Sequence, residues 1–288
     1  MRMAIDRRPF ESGREGFARG GFVVLEGWIA TRERETIQSD IDRLLLAPHG
    51  PSCSRPNNVL LPLRWSDTTV QRLLVSDRRV QALREAVGAS DLRWISGYVS
   101  IKEPHSGPLP WDQDWWCWDH PVTFRHSAPQ LAVLCYLTAT DREHGALRLL
   151  PGSHLRSSAI HAYLAAGHSS ATDDRESAHM GLSDHPEQVT LQAAAGDAVV
   201  IDYRLLHGTH ANSSALRRDC VILDFAPCWR DLPEDIRAHP ISHSALPGPG
   251  EMTPSWPSWE SSLLPRYRGI RRDLLLSRSA PAQFEIVG

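Results

Sequence analysis

Apolar residues change their rhythm near position 92. Before it they recur at helical intervals; after it they come in short runs broken by Gly, Pro, Asp and Asn. In the first part, Phe22-Val23-Val24-Leu25 reads as a strand, preceded by the segment Phe10 to Gly20. Ile37, Ile41, Leu44 and Leu45 then fall at helical spacing and predict a helix from Thr31 to Leu46, with Thr31 as N-cap and Glu33 and Glu35 in its first turn. A second helix is expected from Asp77 to Val87, stopped by Gly88. Predicted strands then run Trp94 to Lys102, Gln130 to Thr138, Ala146 to Leu150, Val189 to Leu191, Ala198 to Leu206 and Cys220 to Phe225. Short strands with turn signals between them, and no βαβ alternation, argue for a sheet closed on itself.

Two stretches break the pattern. Leu155 to Glu187 is polar and reads as a long insertion between strands. Pro240 to Arg272, with Pro247-Gly248-Pro249-Gly250 and Trp256-Pro257-Ser258-Trp259, is expected to wrap the outside. The reading is therefore one domain over 1–288: an N-terminal helical part to about 90, a barrel core over about 91–228 and a C-terminal wrap over about 229–288.

Composition narrows the class without deciding it. With 288 residues, 41% hydrophobic and 23% charged, the chain has the make-up of a globular protein. A net charge of −3 offers no attraction to nucleic acid. No run approaches the ~18 apolar residues that span a bilayer, and no apolar segment follows the N-terminal charges as a secretory signal would. Five cysteines without paired spacing fit reduced thiols, so a cytoplasmic location is expected. Lys102 is the only lysine in an arginine-rich chain, which singles it out.

The chemistry concentrates in Trp111-Asp112-Gln113-Asp114-Trp115-Trp116 and, far downstream, in His207-Gly208-Thr209. Two carboxylates one residue apart on a strand face, with a distant imidazole on another strand, are the ingredients of a three-ligand metal site with open positions. Standing alone, these residues would as readily be loop acids and a structural histidine. A cluster of Trp115, Trp116 and Trp118 beside that strand exceeds what one core layer absorbs, and suits a ring, a sugar face or a cation.

Five segments taken together resemble the phytanoyl-CoA dioxygenase family: Lys102-Glu103-Pro104, the Trp111 to Trp115 stretch, Glu143-His144-Gly145 continuing to Pro151-Gly152-Ser153-His154, Gly196-Asp197, and His207-Gly208-Thr209. The resemblance spans roughly residues 20 to 228. It implies a double-stranded β-helix, a jelly roll of cupin type that is mainly β with flanking helices, holding Fe(II), with 2-oxoglutarate and O2 as cosubstrates. The family holds its metal with a His-x-Asp pair and a distal histidine. By position Asp114 and His207 are two of these ligands, and Asp112 stands where the first histidine belongs. Arg218 is the implied anchor of the far carboxylate of 2-oxoglutarate, with Arg217 as the alternative. Thr209 and Lys102 are placed near the same cosubstrate, and Trp118 and Trp116 along the substrate cavity. Pro151 to His154 is expected to turn at the barrel mouth, with His154 structural.

Asp112 is the departure from the pattern. A carboxylate oxygen reaches roughly 1 Å less far from its backbone than the outer nitrogen of histidine, whereas metal bonds tolerate only a few tenths of an ångström. A second carboxylate also makes the site anionic once dianionic 2-oxoglutarate binds. Three outcomes stay open: Asp112 ligates directly; His105, His120 or His126 supplies the missing nitrogen; or the metal is weakly held. The expected activity is oxidation of a C–H bond in a small metabolite, by hydroxylation, desaturation or ring closure, coupled to decarboxylation of 2-oxoglutarate, in a biosynthetic pathway. The alternative is a non-catalytic or redox-neutral relative, a binding protein, isomerase or lyase. Neither the substrate nor the oligomeric state is legible.

Overall fold

The computed structural model describes residues 13–46, 53–55, 57–164, 181–248 and 262–287. Two antiparallel sheets face each other as a jelly roll. The larger has the order β1 (Phe22–Leu25), β9 (Ala198–Asp202), β6 (Leu131–Tyr136), β11 (Arg218–Ala226), β4 (Arg93–Lys102), β3 (Asn58–Leu63) and β2 (Cys53–Arg55). The smaller has the order β5 (Leu109–Asp112), β10 (His207–Thr209), β7 (Leu147–Leu149) and β8 (Val189–Leu191).

The large sheet is buried on both faces, which explains why its central strands read as near-continuous apolar runs. On its outer face Val99, Val133, Val221, Leu223 and Phe225 pack with Ile37 and Ile41 of α2 (Thr31–Leu46) and with Val80 and Leu83 of α4 (Asp77–Val87). On its inner face Leu134, Tyr136, Val199, Ile201 and Cys220 meet Leu147, Leu149 and Leu191 of the small sheet. Two helices complete that outer layer, α1 (Gly13–Gly20) and α3 (Thr68–Leu74), the latter without a counterpart in the sequence reading.

Several expected elements shift in detail. Helix α2 has the predicted span, but the Ala30 carbonyl accepts the first intrahelical bond, from the Arg34 N–H at 2.9 Å, so the cap lies one residue before Thr31. Ile37 and Ile41 are buried, whereas Leu44 is exposed at the edge of the stripe. Helix α4 has its expected stop, with Gly88 left-handed at φ 66°. The strand expected from Ala198 to Leu206 is shorter: β9 ends at Asp202, residues 203–205 turn, and β10 begins at His207 in the other sheet. The N-terminal part is no separate layer, because β1 pairs with β9 and β3 with β4. Near the C-terminus, Ser277 bridges to Cys117 and Glu285 to Arg156. Trp256 and Trp259 lie outside the described residues, as do residues 165–180 of the long insertion. No described helix is long and apolar enough to cross a membrane.

Candidate active site

Strand pairing between β5 and β10 sets Asp112 opposite His207. Asp114 lies two residues beyond the end of β5, off the strand, so the two acids do not share a strand face as the sequence suggests. Leaving the strand swings Asp114 toward the histidine: Asp114 Oδ2 is 3.4 Å from His207 Nε2, with both side chains partly open to solvent at 23% and 15% exposure. The inner nitrogen, Nδ1, is 3.0 Å from the Leu205 carbonyl oxygen. An oxygen there can only accept, so Nδ1 donates to it and Nε2 is the nitrogen that faces Asp114. A carboxylate oxygen and an outer imidazole nitrogen converge here on one point. Such a pair, with its imidazole fixed by a backbone carbonyl, suits a divalent metal.

Asp112 does not complete this set. Its Oδ1 accepts the Gln113 backbone N–H at 2.7 Å, and among the described residues no group of three His, Cys, Asp or Glu side chains is gathered as a metal cluster. The alternative nitrogen donors are engaged or turned away. His120 pairs with Asp235 at 3.3 Å and its Nδ1 accepts from Val122, while His105 and His126 are exposed.

A second feature lies deeper. Strand β11 aligns Arg218, Cys220, Ile222 and Asp224 opposite Lys102, Ser100, Tyr98 and Ser96 of β4, and alternation turns all eight to the barrel interior. Arg218 is 4% and Lys102 0% exposed. Arg218 donates to the Gly145 carbonyl at 3.0 Å and to Ser100 Oγ at 3.4 Å, its guanidinium 5.9 Å from the Tyr136 ring centre. Lys102 Nζ donates to the Gly107 carbonyl at 2.5 Å. Burial, then the charge of Arg218, pushes the Lys102 ammonium down to about 7. Neither cation has an ion pair among the described residues, and Arg218 Nε, Thr209 Oγ1 and the Tyr136 hydroxyl are buried without hydrogen-bond partners. Two adjacent buried cations without a counter-ion carry an electrostatic cost that a bound anion would relieve. Gly145 makes room for them: it sits at φ 68°, and a Cβ there would fall 2.6 Å from Lys102 Cδ.

The choice between the two arginines is visible in the strand. Arg217 points away from the interior to Asp219 and to Asp42 of α2, each at 2.6 Å. The tryptophans turn out differently from the expected cavity wall. Trp116 is consumed in packing against Trp115 and the His239 ring, and donates to Gln130 Oε1 at 2.9 Å. Trp118 is 1% exposed against Phe284. Their side chains are claimed by the C-terminal wrap, which local sequence could not reveal.

Sequence reading also missed Arg148, Ser100, Tyr136, Tyr203 and Asp224. For Ser100 and Asp224 a signal existed: each shares strand parity with Lys102 or Arg218. Arg148 is 1% exposed and stacks 4.4 Å over Trp111 on the outer face of the small sheet. It donates to the carbonyls of Leu109, Gly181, Leu182 and Ser183 at 2.8–3.2 Å, tying the end of the long insertion to the strand that carries Asp112. His154 is 2% exposed, with its Nε2 3.1 Å from the Ala18 carbonyl oxygen.

Residues 17–220 match the phytanoyl-CoA dioxygenase family. A probable alpha-ketoglutarate-dependent hypophosphite dioxygenase of Stutzerimonas stutzeri is 27% identical over 221 residues, 72% of this chain and 74% of the relative. Among solved structures, HygX from Streptomyces hygroscopicus with nickel, 2-oxoglutarate and hygromycin B bound superposes with a TM-score of 0.55 at 20% identity, covering 73% of this chain and 84% of that one. The alpha-ketoglutarate-dependent carbocyclase SnoK from nogalamycin biosynthesis gives 0.54 at 19% identity, covering 73% and 80%. At these identities the two structures speak for the jelly-roll fold, while the family match and the curated relative carry the enzyme class, an iron- and 2-oxoglutarate-dependent dioxygenase. With residues 17–220 matched and the sheets arranged as that fold requires, the chain belongs to the phytanoyl-CoA dioxygenase family.

Proposed function

We propose that this chain oxidises a C–H bond of a small metabolite, with Asp114 and His207 holding iron(II) and with Arg218, Lys102 and Thr209 receiving the far carboxylate of 2-oxoglutarate. The observation that carries the reading is the pair of buried cations without a counter-ion, on the same barrel interior as the Asp114 and His207 donors. Iron, when bound, supplies the activation of O2 that couples decarboxylation of 2-oxoglutarate to substrate oxidation.

The residues of the chain do the rest. The Leu205 carbonyl holds the His207 ring in the tautomer whose outer nitrogen can ligate. Arg218 offers a planar fork of donors and Lys102 a point charge, so a carboxylate between them would be fixed in orientation as well as charge. Thr209 Oγ1 and Arg218 Nε, buried and without partners, are available to the same group. The burial of Tyr136 and Leu147 beside these cations lowers the local polarity and strengthens the charge interactions there. Asp112 has one carboxylate oxygen held by the Gln113 N–H, and we assign it to the rim of the site.

Succinate formation from 2-oxoglutarate under air, in protein reconstituted with iron(II), tests the assignment. Wild type is expected to turn over slowly without its metabolite, and His207→Gln and Asp114→Asn to fall to background. Arg218→Met should raise the KM for 2-oxoglutarate about 100-fold, in keeping with loss of a buried charge-assisted pair. Unchanged KM in Arg218→Met would overturn the cosubstrate site, and turnover surviving His207→Gln would overturn the metal site.

A further inference from the structure

Asp224 is an interior acid that the reading above does not use. It is 1% exposed, on the same face of β11 as Arg218 and two residues beyond Ile222. Its Oδ2 accepts from Ser96 Oγ at 2.6 Å, whereas Oδ1 is buried without a hydrogen-bond partner. The Tyr203 phenol stands beside it, and the charge of Asp114 bears on both. Between this end of the strand pair and the Arg218–Lys102 end lies Ile222 opposite Tyr98, each half-buried although every other residue of β4 and β11 is buried. The barrel is therefore open to solvent at mid-strand, with cations at one end of that space and Asp224 at the other.

Charge balance gives this arrangement a direction. Asp114 stands against the proposed metal, and Arg218 and Lys102 offset a dicarboxylate cosubstrate. Asp224 alone has no opposite charge: among the described residues it makes no ion pair. A buried carboxyl with an unused oxygen and no base nearby is complementary to an ammonium group, which would restore neutrality and supply the missing donor.

We infer that Asp224, with Ser96 and Tyr203, forms the specificity-determining floor of the substrate chamber and that the substrate carries a basic amine, set there opposite the cosubstrate end. The inference rests on the site assigned above for its geometry, but binding at Asp224 needs no turnover. Burial pushes the carboxyl up to about 7 in the free protein, against the hydrogen bonds of Ser96 and Tyr203 and with a smaller push from Asp114; a bound ammonium would bring it down again. An oxyanion would meet Asp224 and Asp114 unfavourably, so the substrate differs in charge from the hypophosphite named for the curated relative.

The test uses the full chain at pH 8, loaded anaerobically with iron(II) and 2-oxoglutarate and, in parallel, free of both. Butylammonium, butan-1-ol and butyrate are titrated in turn and binding is followed by tryptophan fluorescence. Wild type should bind butylammonium at least about tenfold more tightly than butan-1-ol, the scale of one charge-assisted hydrogen bond. Asp224→Asn should erase that preference and Asp224→Glu should keep it, with melting curves confirming that both are folded. Equal binding of the amine and the alcohol by wild type, or a preference that survives Asp224→Asn, overturns the proposal. Amine preference in the metal-free protein upholds it even if the loaded protein makes no succinate, an outcome that would fell only the oxygenase assignment.

Discussion

At the scale of single residues the account turns on which charges are compensated. Lys102 is held near 7 by burial and by Arg218, so at pH 8 it is largely neutral in the free protein. A carboxylate arriving beside it favours the ammonium and raises its pKa, so binding takes up a proton. Calorimetry of 2-oxoglutarate binding at pH 8, in buffers of different ionisation enthalpy, should show uptake approaching one proton, absent in Lys102→Met. Zero uptake in wild type would remove Lys102 from the cosubstrate site. Arg217→Met should leave 2-oxoglutarate affinity within about twofold, because its guanidinium is spent on Asp219 and Asp42. The sequence could name Arg218 and Arg217 but not choose between them: β11 is packed on both faces, so neither parity was cleanly apolar.

At the scale of elements the small sheet does the positioning. The turn at 203–205 lifts the chain from β9 into β10 and delivers His207 opposite Asp112, while the end of β5 releases Asp114 toward it. Arg148 locks this layer by joining β5, β7 and the segment 181–183 through four backbone carbonyls, of which that of Ser183 also accepts from the Trp111 indole N–H. Arg148→Met keeps the stem over Trp111 and deletes those bonds, so stability should fall by about 2–4 kcal/mol. Hydrogen exchange should quicken first in residues 181–184 and in β5; protection unchanged there would contradict the role. Strands β4, β6, β8 and β11 were legible because each has a run of β-branched or apolar residues bounded by turn signals. The bounds of β5 and β10 were not, since Leu-Pro-Trp-Asp and His-Gly-Thr are too short and polar to show a period, although β10 carries His207 and β5 leads into Asp114. Trp116 and Trp118 were misplaced for the converse reason, because what covers them arrives from residues more than a hundred positions away.

At the scale of the whole molecule, the two buried titrating groups at opposite ends of the chamber set how stability follows pH. Asp224 has a folded pKa raised from 3.8 to about 7, so the stability it contributes is full below about 4 and is lost as pH rises through 7. Lys102 has a folded pKa lowered from 10.5 to about 7, so the unfolded chain binds more protons between those values and stability rises across that window. Melting temperatures should therefore show Asp224→Asn more stable than wild type by on the order of 5 °C at pH 8 and nearly equal to it at pH 4; a gap independent of pH would contradict the buried, unpaired carboxyl. Fold class and enzyme class were legible because five spaced segments carry them together. The third ligand was not, since whether Asp112 faces a metal or its own backbone is decided by one side-chain torsion. Anaerobic iron(II) titration in the presence of 2-oxoglutarate, read by its visible charge-transfer band, addresses that point across wild type, Asp112→Asn, Asp114→Asn and His207→Gln. Wild type and Asp112→Asn should bind iron within about fivefold of each other, with Asp114→Asn and His207→Gln weakened at least about 100-fold. Loss of the band in Asp112→Asn, or its survival in His207→Gln, would contradict a centre built on Asp114 and His207.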